Sequence, residues 1–332
     1  VTRLLIYGPS YDRIAADIAA AAPEIDILVM DREGIIRLDG DEISPDEAAP
    51  TIAWANHDLY LSPVARDFFI TLLKSPSLAW VQSAAAGFDN PAFAELVRKG
   101  AKLSTSHGQA VGMADYVLAE VLDHFQRGPE RRAAQGAHVW WREGFREVAD
   151  TTWLIIGYGA IGQGVARRAQ AFGARVVGVR RDTSASPFVE RIAELSALPD
   201  ELPRADVVVL SIPLNARTRR MADAAFFAAM KPGSVLVNVG RGGLVDEPAL
   251  LAALDAGVPA HAVLDVFETE PLPADSPFWD HPRVRVTAHC SGVTGGENNR
   301  NQALFLENLA RFARGATLLN VADPEDVFAA RA

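Results

Sequence analysis

The chain has 332 residues, 49% of them hydrophobic and 22% charged, and 32 Lys and Arg against 42 Asp and Glu give a formal net charge of −10. A sequence pI near 5.2 argues against general binding to nucleic acid or to an anionic membrane surface, both of which need a basic face. A single cysteine, Cys290, excludes an internal disulfide framework and any zinc site built on several thiolates. The seven histidines show no metal-ligand spacing, so no metal is expected, and no apolar run reaches the ~18–20 residues that would span a bilayer. At ~100–200 residues per domain the length points to two domains.

Taken in chain order, Leu4–Tyr7 opens as a strand that Gly8-Pro9 stops, too short for a signal-peptide core. Further β-rich runs follow between Ala-rich helical stretches: Ile25–Met30, Thr51–Ala55, Leu78–Gln82, Trp153–Ile156, Arg175–Val179, Val207–Ile212, Val235–Val239, His261–Leu264 and Val284–Thr287. Near-continuous apolar runs alternating with helical patterns predict parallel strands buried on both faces, hence a doubly wound α/β chain. Asp39–Pro50 and Arg180–Pro187 are predicted to be surface loops. The helical spacing of Leu304, Leu309 and Phe312 within Glu297–Gly315 predicts a helix that returns to the first domain. The overall expectation is a soluble, cytoplasmic protein.

The strongest local signal lies mid-chain, where Trp153–Ile156 runs into Gly157-Tyr-Gly159-Ala-Ile-Gly162 and then a helical pattern with Gly173 placed to end it. This is Gly-x-Gly-x-x-Gly between a strand and a helix. Gly157 permits the tight turn, Gly159 admits a pyrophosphate to the backbone and Gly162 allows close packing of helix on strand. The amides of Ala160 and Ile161 are predicted to face the phosphates from the positive end of the helix. A fingerprint this far along the chain leaves about 100 residues to form another domain first.

Four ordered segments carry a wider resemblance: Gly157–Gly162, Val237–Glu247, Leu264–Pro273 and Thr287-Ala-His289, with weaker matches at Ala84–Asn90 and Met113-Ala-Asp115-Tyr116. The sequence resembles the D-isomer-specific 2-hydroxyacid dehydrogenases, and more narrowly their glyoxylate/hydroxypyruvate reductase-like members. The resemblance implies two Rossmann-like doubly wound parallel-sheet domains. The substrate domain is discontinuous and flavodoxin-like, over residues 1–103 and 291–332, and the NAD(P)-binding Rossmann domain spans 104–290. It places the active site in the cleft between them and implies a homodimer formed through the cofactor domains.

Reducing a 2-oxo acid requires a cation for the carboxylate, a proton donor for the nascent alkoxide and a hydride source. Arg241 ends a strand before Gly242-Gly243, so it projects at the strand's carboxyl end, where open α/β sheets bind ligands, and its planar fork suits a carboxylate. His289 follows a strand and carries the side chain best suited to proton exchange near neutrality. The resemblance pairs it with Glu270, whose anion favours the protonated ring, and assigns Arg241 the substrate anchor. It also implies nicotinamide contact for Asp265, completes the cofactor set with Ile212, Pro213 and Val239, and makes Ser83–Gly87 the loop whose amides hold the carboxylate, with Ala84, Ala85, Ala86 and Gly87 as substrate contacts. Ala85 stands where the family has glycine, and a positive φ there would be strained.

The position after Arg175–Val179 where an NAD-dependent member carries an acid holds Arg180, with Arg181 beside it. Two guanidiniums suit a 2′-phosphate, with Thr183 and Ser184 as further donors, so NADP(H) is expected ahead of NAD(H). Asp246 and Pro248 predict a helix start, and Cys290 a small buried side chain. Trp140-Trp141 and the apolar face of Val111–Phe125 are predicted to be core or subunit interface, while Trp54, Phe88, Trp141 and Trp279 each either shape the pocket or fill a core. The expected activity is reduction of a small 2-oxo acid. The alternatives are a bulkier 2-oxo acid or a dinucleotide-sensing, corepressor-like binding protein.

Overall fold

The computed structural model describes residues 1–88 and 90–329; Asp89, within the Ala84–Asn90 match, and residues 330–332 lie outside the described residues. The chain divides into two compact units, residues 1–108 with 295–332 and residues 109–294, against expected divisions at 103/104 and 290/291. Among the described residues no helix is long and apolar enough to cross a membrane.

The first unit is built on β1 (Arg3–Tyr7), β2 (Asp26–Met30), β3 (Ile36–Leu38), β4 (Asp41–Ile43), β5 (Ile52–Ala55), β6 (Trp80–Ser83) and β7 (Lys102–Ser104), in the order β4-β3-β2-β1-β5-β6-β7. The parallel strands β2-β1-β5-β6-β7 follow the 2-1-3-4-5 order of flavodoxin-like sheets. Side chains alternate across the sheet: Leu4 and Ile6 face one core with Ile14, Ile18 and Trp80, and Leu5 faces the other with Leu28, Phe68 and Leu72. Both faces are covered, which is why Leu4–Tyr7 of β1 and all of β5 are apolar without interruption.

One expectation fails at this sheet's edge. Asp39–Pro50 contains β4 and a short helix; β3 pairs antiparallel with β2, and β4 pairs antiparallel with β3. Asp39 and Gly40 both take positive φ, +54° and +93°, the conformation of a two-residue hairpin turn for which Asp-Gly is suited. Ser44 and Glu47 then form a reciprocal capping box that starts the helix Pro45–Ala48. The returning helix Glu297–Ala313 packs Phe305 and Leu309 into the first core, with Trp54 stacked on Phe305 at 4.4 Å. Asn308, wholly buried, donates to Gln82 Oε1 at 2.8 Å and so ties this helix to β6.

The second unit holds β8 (Thr152–Ile156), β9 (Arg175–Val179), β10 (Arg191–Ala193), β11 (Val207–Leu210), β12 (Val235–Asn238), β13 (His261–Leu264) and β14 (Val284–Val286), all parallel, in the order β10-β9-β8-β11-β12-β13-β14. The order reverses between β8 and β11, and that switch point is where such sheets bind ligands. β11 and β12 stop one or two residues before the apolar runs end, because the chain turns at Ser211 and Val239 to build the loops described next.

Candidate active site

Gly157 follows β8 with φ +100°, and a Cβ there would lie 2.4 Å from Ile212 N and Ser211 C; at Gly162 it would lie 2.4 Å from Gly157 O. Only glycine permits both approaches. A Cβ on Gly159 meets nothing within 4 Å, and Gly159 is the N-cap of the helix Ala160–Ala171, which has no side-chain cap. Open space at an uncapped helix N-terminus fits a pyrophosphate. Ile212 thus lies against Gly157, and Val239 N donates to Leu210 O at 3.1 Å, so candidate residues from β8, β11 and β12 gather at one sheet end. Pro213 is exposed and its carbonyl accepts from Thr218 Oγ1.

Arg180, at the end of β9, folds back onto its own loop. Its guanidinium donates to the carbonyls of Asp182 and Ser184 and to Ser184 Oγ, and lies 5.6 Å from the Tyr158 ring centre. Ser184 is not the additional donor expected: its hydroxyl donates to Asp182 Oδ2 at 2.9 Å. Arg181 is exposed.

Arg241 follows β12 in a turn pinned by Asn238, whose amide donates to Arg241 O and whose Oδ1 accepts from Gly240 N. Arg241 Nη1 donates to Gly240 O at 2.7 Å, which orients the fork. A Cβ on Gly242 would lie 1.8 Å from Phe267 C. Glycine is therefore what lets the Arg241 turn lie against the Phe267–Glu270 turn.

Glu270 Oε1 accepts from Phe267 N at 2.9 Å, and Glu270 Oε2 lies 2.7 Å from His289 Nδ1. His289 has φ +49° and a half-exposed ring. For a non-glycine residue that conformation costs on the order of 1–3 kcal/mol and needs surrounding contacts to hold it. Asp265 supplies them: its carbonyl accepts from His289 N at 2.8 Å, Oδ1 from Cys290 N at 2.9 Å and Thr287 Oγ1 at 2.6 Å, and Oδ2 from Ser291 N at 3.0 Å. Burial opposes ionisation of Asp265. The hydrogen bonds from Ser291, Thr287 and Cys290 outweigh it and hold the carboxyl below the ordinary carboxylate range.

In the first unit the amides of Ala84 and Ala85 are already engaged, by Ala55 O at 2.9 Å and Ser83 Oγ at 3.0 Å. Those two N–H groups therefore do not serve a substrate as expected. Ala86 and Gly87 remain the candidates in this loop, and Ala85 does not take the positive φ that would strain it. Cys290 is exposed rather than buried. Trp54 is core, Phe88 packs on the Leu5 face's core in the first unit and Trp141 lies under Arg127. Trp279 is half-exposed and Trp140 is 91% exposed, which removes Trp140 from any core. Asp246 caps its helix by accepting from Ala249 N. Asn238, Thr287 and Tyr116 lie in the matched segments but had no role assigned from the sequence, although a polar side chain near a functional residue at a strand end was the available signal for the first two. Among the described residues no group of three or more His, Cys, Asp or Glu is placed to hold a metal ion.

Comparison with known proteins agrees with this geometry. The family described as D-isomer specific 2-hydroxyacid dehydrogenase, NAD binding domain, matches residues 118–291. The chain is 36% identical over 249 residues to the (S)-sulfolactate dehydrogenase of Chromohalobacter salexigens, covering 72% of this chain and 79% of that protein. It is 34% identical over 260 residues to the glyoxylate reductase of Thermococcus kodakarensis, covering 74% and 78%. A crystal structure of an NADPH-dependent glyoxylate/hydroxypyruvate reductase from Sinorhizobium meliloti, in complex with NADP and sulfate, superposes with TM-score 0.76 at 29% identity, covering 98% of this chain and all of that one. With a Rossmann-ordered second unit, a dinucleotide turn and a Glu–His pair, the chain belongs to the D-isomer specific 2-hydroxyacid dehydrogenase family.

Proposed function

We propose that this enzyme reduces a short 2-oxo acid of the glyoxylate or hydroxypyruvate class to the D-2-hydroxy acid, with NADPH preferred over NADH. The observation that carries the reading is the 2.7 Å contact between His289 Nδ1 and Glu270 Oε2. With Nδ1 turned to a carboxylate, Nε2 is the nitrogen left to exchange a proton with substrate. Arg241 anchors the carboxylate and polarises the keto oxygen. When bound, a reduced nicotinamide supplies a hydride for C2. His289 gives the Nε2 proton to the oxygen, and Glu270 fixes the orientation of the ring throughout.

Gly157, Gly159, Ala160, Ile161 and Gly162 hold the pyrophosphate, with Ile212, Pro213 and Val239 along the rest of the dinucleotide. Asp265 serves this site through the backbone it anchors, beside any contact with the carboxamide. Arg180 and Arg181 receive the 2′-phosphate, which replaces the loop carbonyls as partner of the Arg180 guanidinium. NADP in the Sinorhizobium meliloti reductase supports that choice. Use of a soluble dinucleotide and a free, exposed cysteine fit the cytoplasm. Exposed Val139, Trp140 and Phe145 support a homodimer through the second unit.

The test of the substrate is kcat/KM with NADPH over glyoxylate, hydroxypyruvate, pyruvate, 3-sulfopyruvate and bulkier 2-oxo acids. A maximum at glyoxylate or hydroxypyruvate supports the proposal, and a maximum at a bulky or sulfonated acid replaces that substrate.

A further inference from the structure

Behind the Glu270–His289 pair runs a second polar chain that the proposed reaction does not use. Tyr116, on the helix Ala110–Phe125, places its hydroxyl 2.7 Å from Thr287 Oγ1, and Thr287 Oγ1 donates to Asp265 Oδ1 at 2.6 Å. A threonine hydroxyl has one proton. Since Thr287 gives it to Asp265, the phenol is the donor in the contact between Tyr116 and Thr287. The chain therefore has a fixed direction, from phenol to hydroxyl to carboxylate.

Asp265 is wholly buried and has no cation within ion-pair distance among the described residues. Its charge is held by neutral donors alone, and two of them, Cys290 N and Ser291 N, belong to the loop that carries His289. The helix bearing Tyr116 lies close against the same loop: a Cβ on Gly292 would sit 3.1 Å from Gln109 Cβ, and one on Gly112 would sit 2.2 Å from Thr294 Cγ2. Burial, with the negative charges of Asp265 and Glu120 nearby, keeps the phenol protonated well above the ordinary phenol range, against the opposing hydrogen bond to Thr287.

We propose that Tyr116 is a positioning residue for the reaction: through Thr287 it orients the Asp265 carboxylate, which holds the Cys290 and Ser291 amides directly after His289 and with them the aim of the His289 imidazole. This rests on the reading of His289 as the proton donor. A polarised chain of two hydrogen bonds holds its terminal acceptor more firmly than either link alone, and the acceptor here holds the amides of Cys290 and Ser291, next to the left-handed backbone at His289.

Full-length Tyr116→Phe, Thr287→Val, Thr287→Ser and the Tyr116→Phe/Thr287→Val double variant provide the test. The readouts are kcat, KM for the 2-oxo acid, NADPH affinity by fluorescence, melting temperature, and hydrogen–deuterium exchange at the 289–291 amides. Tyr116→Phe is expected to lower kcat about three- to tenfold, the scale of one hydrogen bond. Substrate KM and NADPH affinity stay within about twofold, and exchange at 289–291 speeds up. Thr287→Val should cost more, Thr287→Ser should restore kcat, and the double variant should match Thr287→Val because both break one chain. Wild-type exchange at 289–291 in Tyr116→Phe overturns the proposal whether or not the enzyme is active. So does an unchanged kcat in Thr287→Val beside an active wild type, or a loss of kcat that Thr287→Ser fails to restore. An inactive wild type whose 289–291 exchange still responds to Tyr116→Phe overturns the reading of the reaction and leaves the anchoring standing.

Discussion

Glu270 uses its two carboxylate oxygens differently, one fixing the backbone at Phe267 and the other facing His289 Nδ1. Glu270→Gln separates these tasks. The amide oxygen can keep the Phe267 N–H, which turns the NH2 group toward Nδ1 and favours an unprotonated Nδ1, incompatible with a cationic ring. Reductive kcat is expected to fall by about a hundredfold, the lower range for a general acid, with NADPH affinity unchanged by fluorescence titration. Wild-type kcat would remove Glu270 from the proton step. The contact between His289 and Glu270 was legible because their types and spacing match a family pattern. The anchoring by Asp265 was not, since it depends on β13 and the 287–291 loop meeting in space, and sequence separation gives no sign of that.

At the scale of elements, Asp206 joins the starts of neighbouring strands in the second unit. Its carboxylate is nearly buried and accepts from Thr152 N at 2.8 Å, Lys231 Nζ at 2.6 Å and Arg146 Nη2 at 2.5 Å. Burial raises its pKa, but Lys231, Thr152 and Arg146 together hold it below the ordinary value. A depressed carboxyl contributes stability that is present above the unfolded pKa of ~3.9 and is lost as pH falls toward the folded value. Asp206→Asn should therefore lower stability at pH 7 by about 2 kcal/mol, the scale of hydrogen bonds to a charged group. It should also flatten the loss of stability below about pH 4 in urea titrations. An acid dependence equal to wild type would rule Asp206 out as a contributor.

The ten apolar strands were legible because burial on both faces leaves an uninterrupted signal. β3, β4, β7 and β10 were not, being three-residue strands that each carry a charged residue and sit in no longer apolar run. Their places are set by turns such as Asp39-Gly40 and by edge pairing rather than by hydrophobicity. Asp39-Gly40 did carry a hairpin signal, hidden in a polar stretch that reads equally as loop.

For the whole molecule, the order of motifs carried the discontinuity, whereas cofactor choice and assembly rest on surface side chains. Arg180→Asp puts a carboxylate where a 2′-phosphate is proposed to bind. The kcat/KM preference for NADPH over NADH should fall by at least about tenfold, and the wild-type preference should shrink with added salt. A variant indifferent to both cofactors would leave the arginines as surface residues. Trp140→Glu should shift the protein from dimer toward monomer in sedimentation equilibrium; an unaltered mass would place the interface elsewhere.

The proposed reaction turns on proton delivery by His289 during 2-oxo acid reduction. Its most direct measurement is single-turnover oxidation of NADPH by glyoxylate, followed at 340 nm for wild type and His289→Ala at matched cofactor occupancy. The wild type is expected to turn over, and the variant to be slower by about a hundredfold or more while binding NADPH equally well. Equal rates in the two proteins would contradict it.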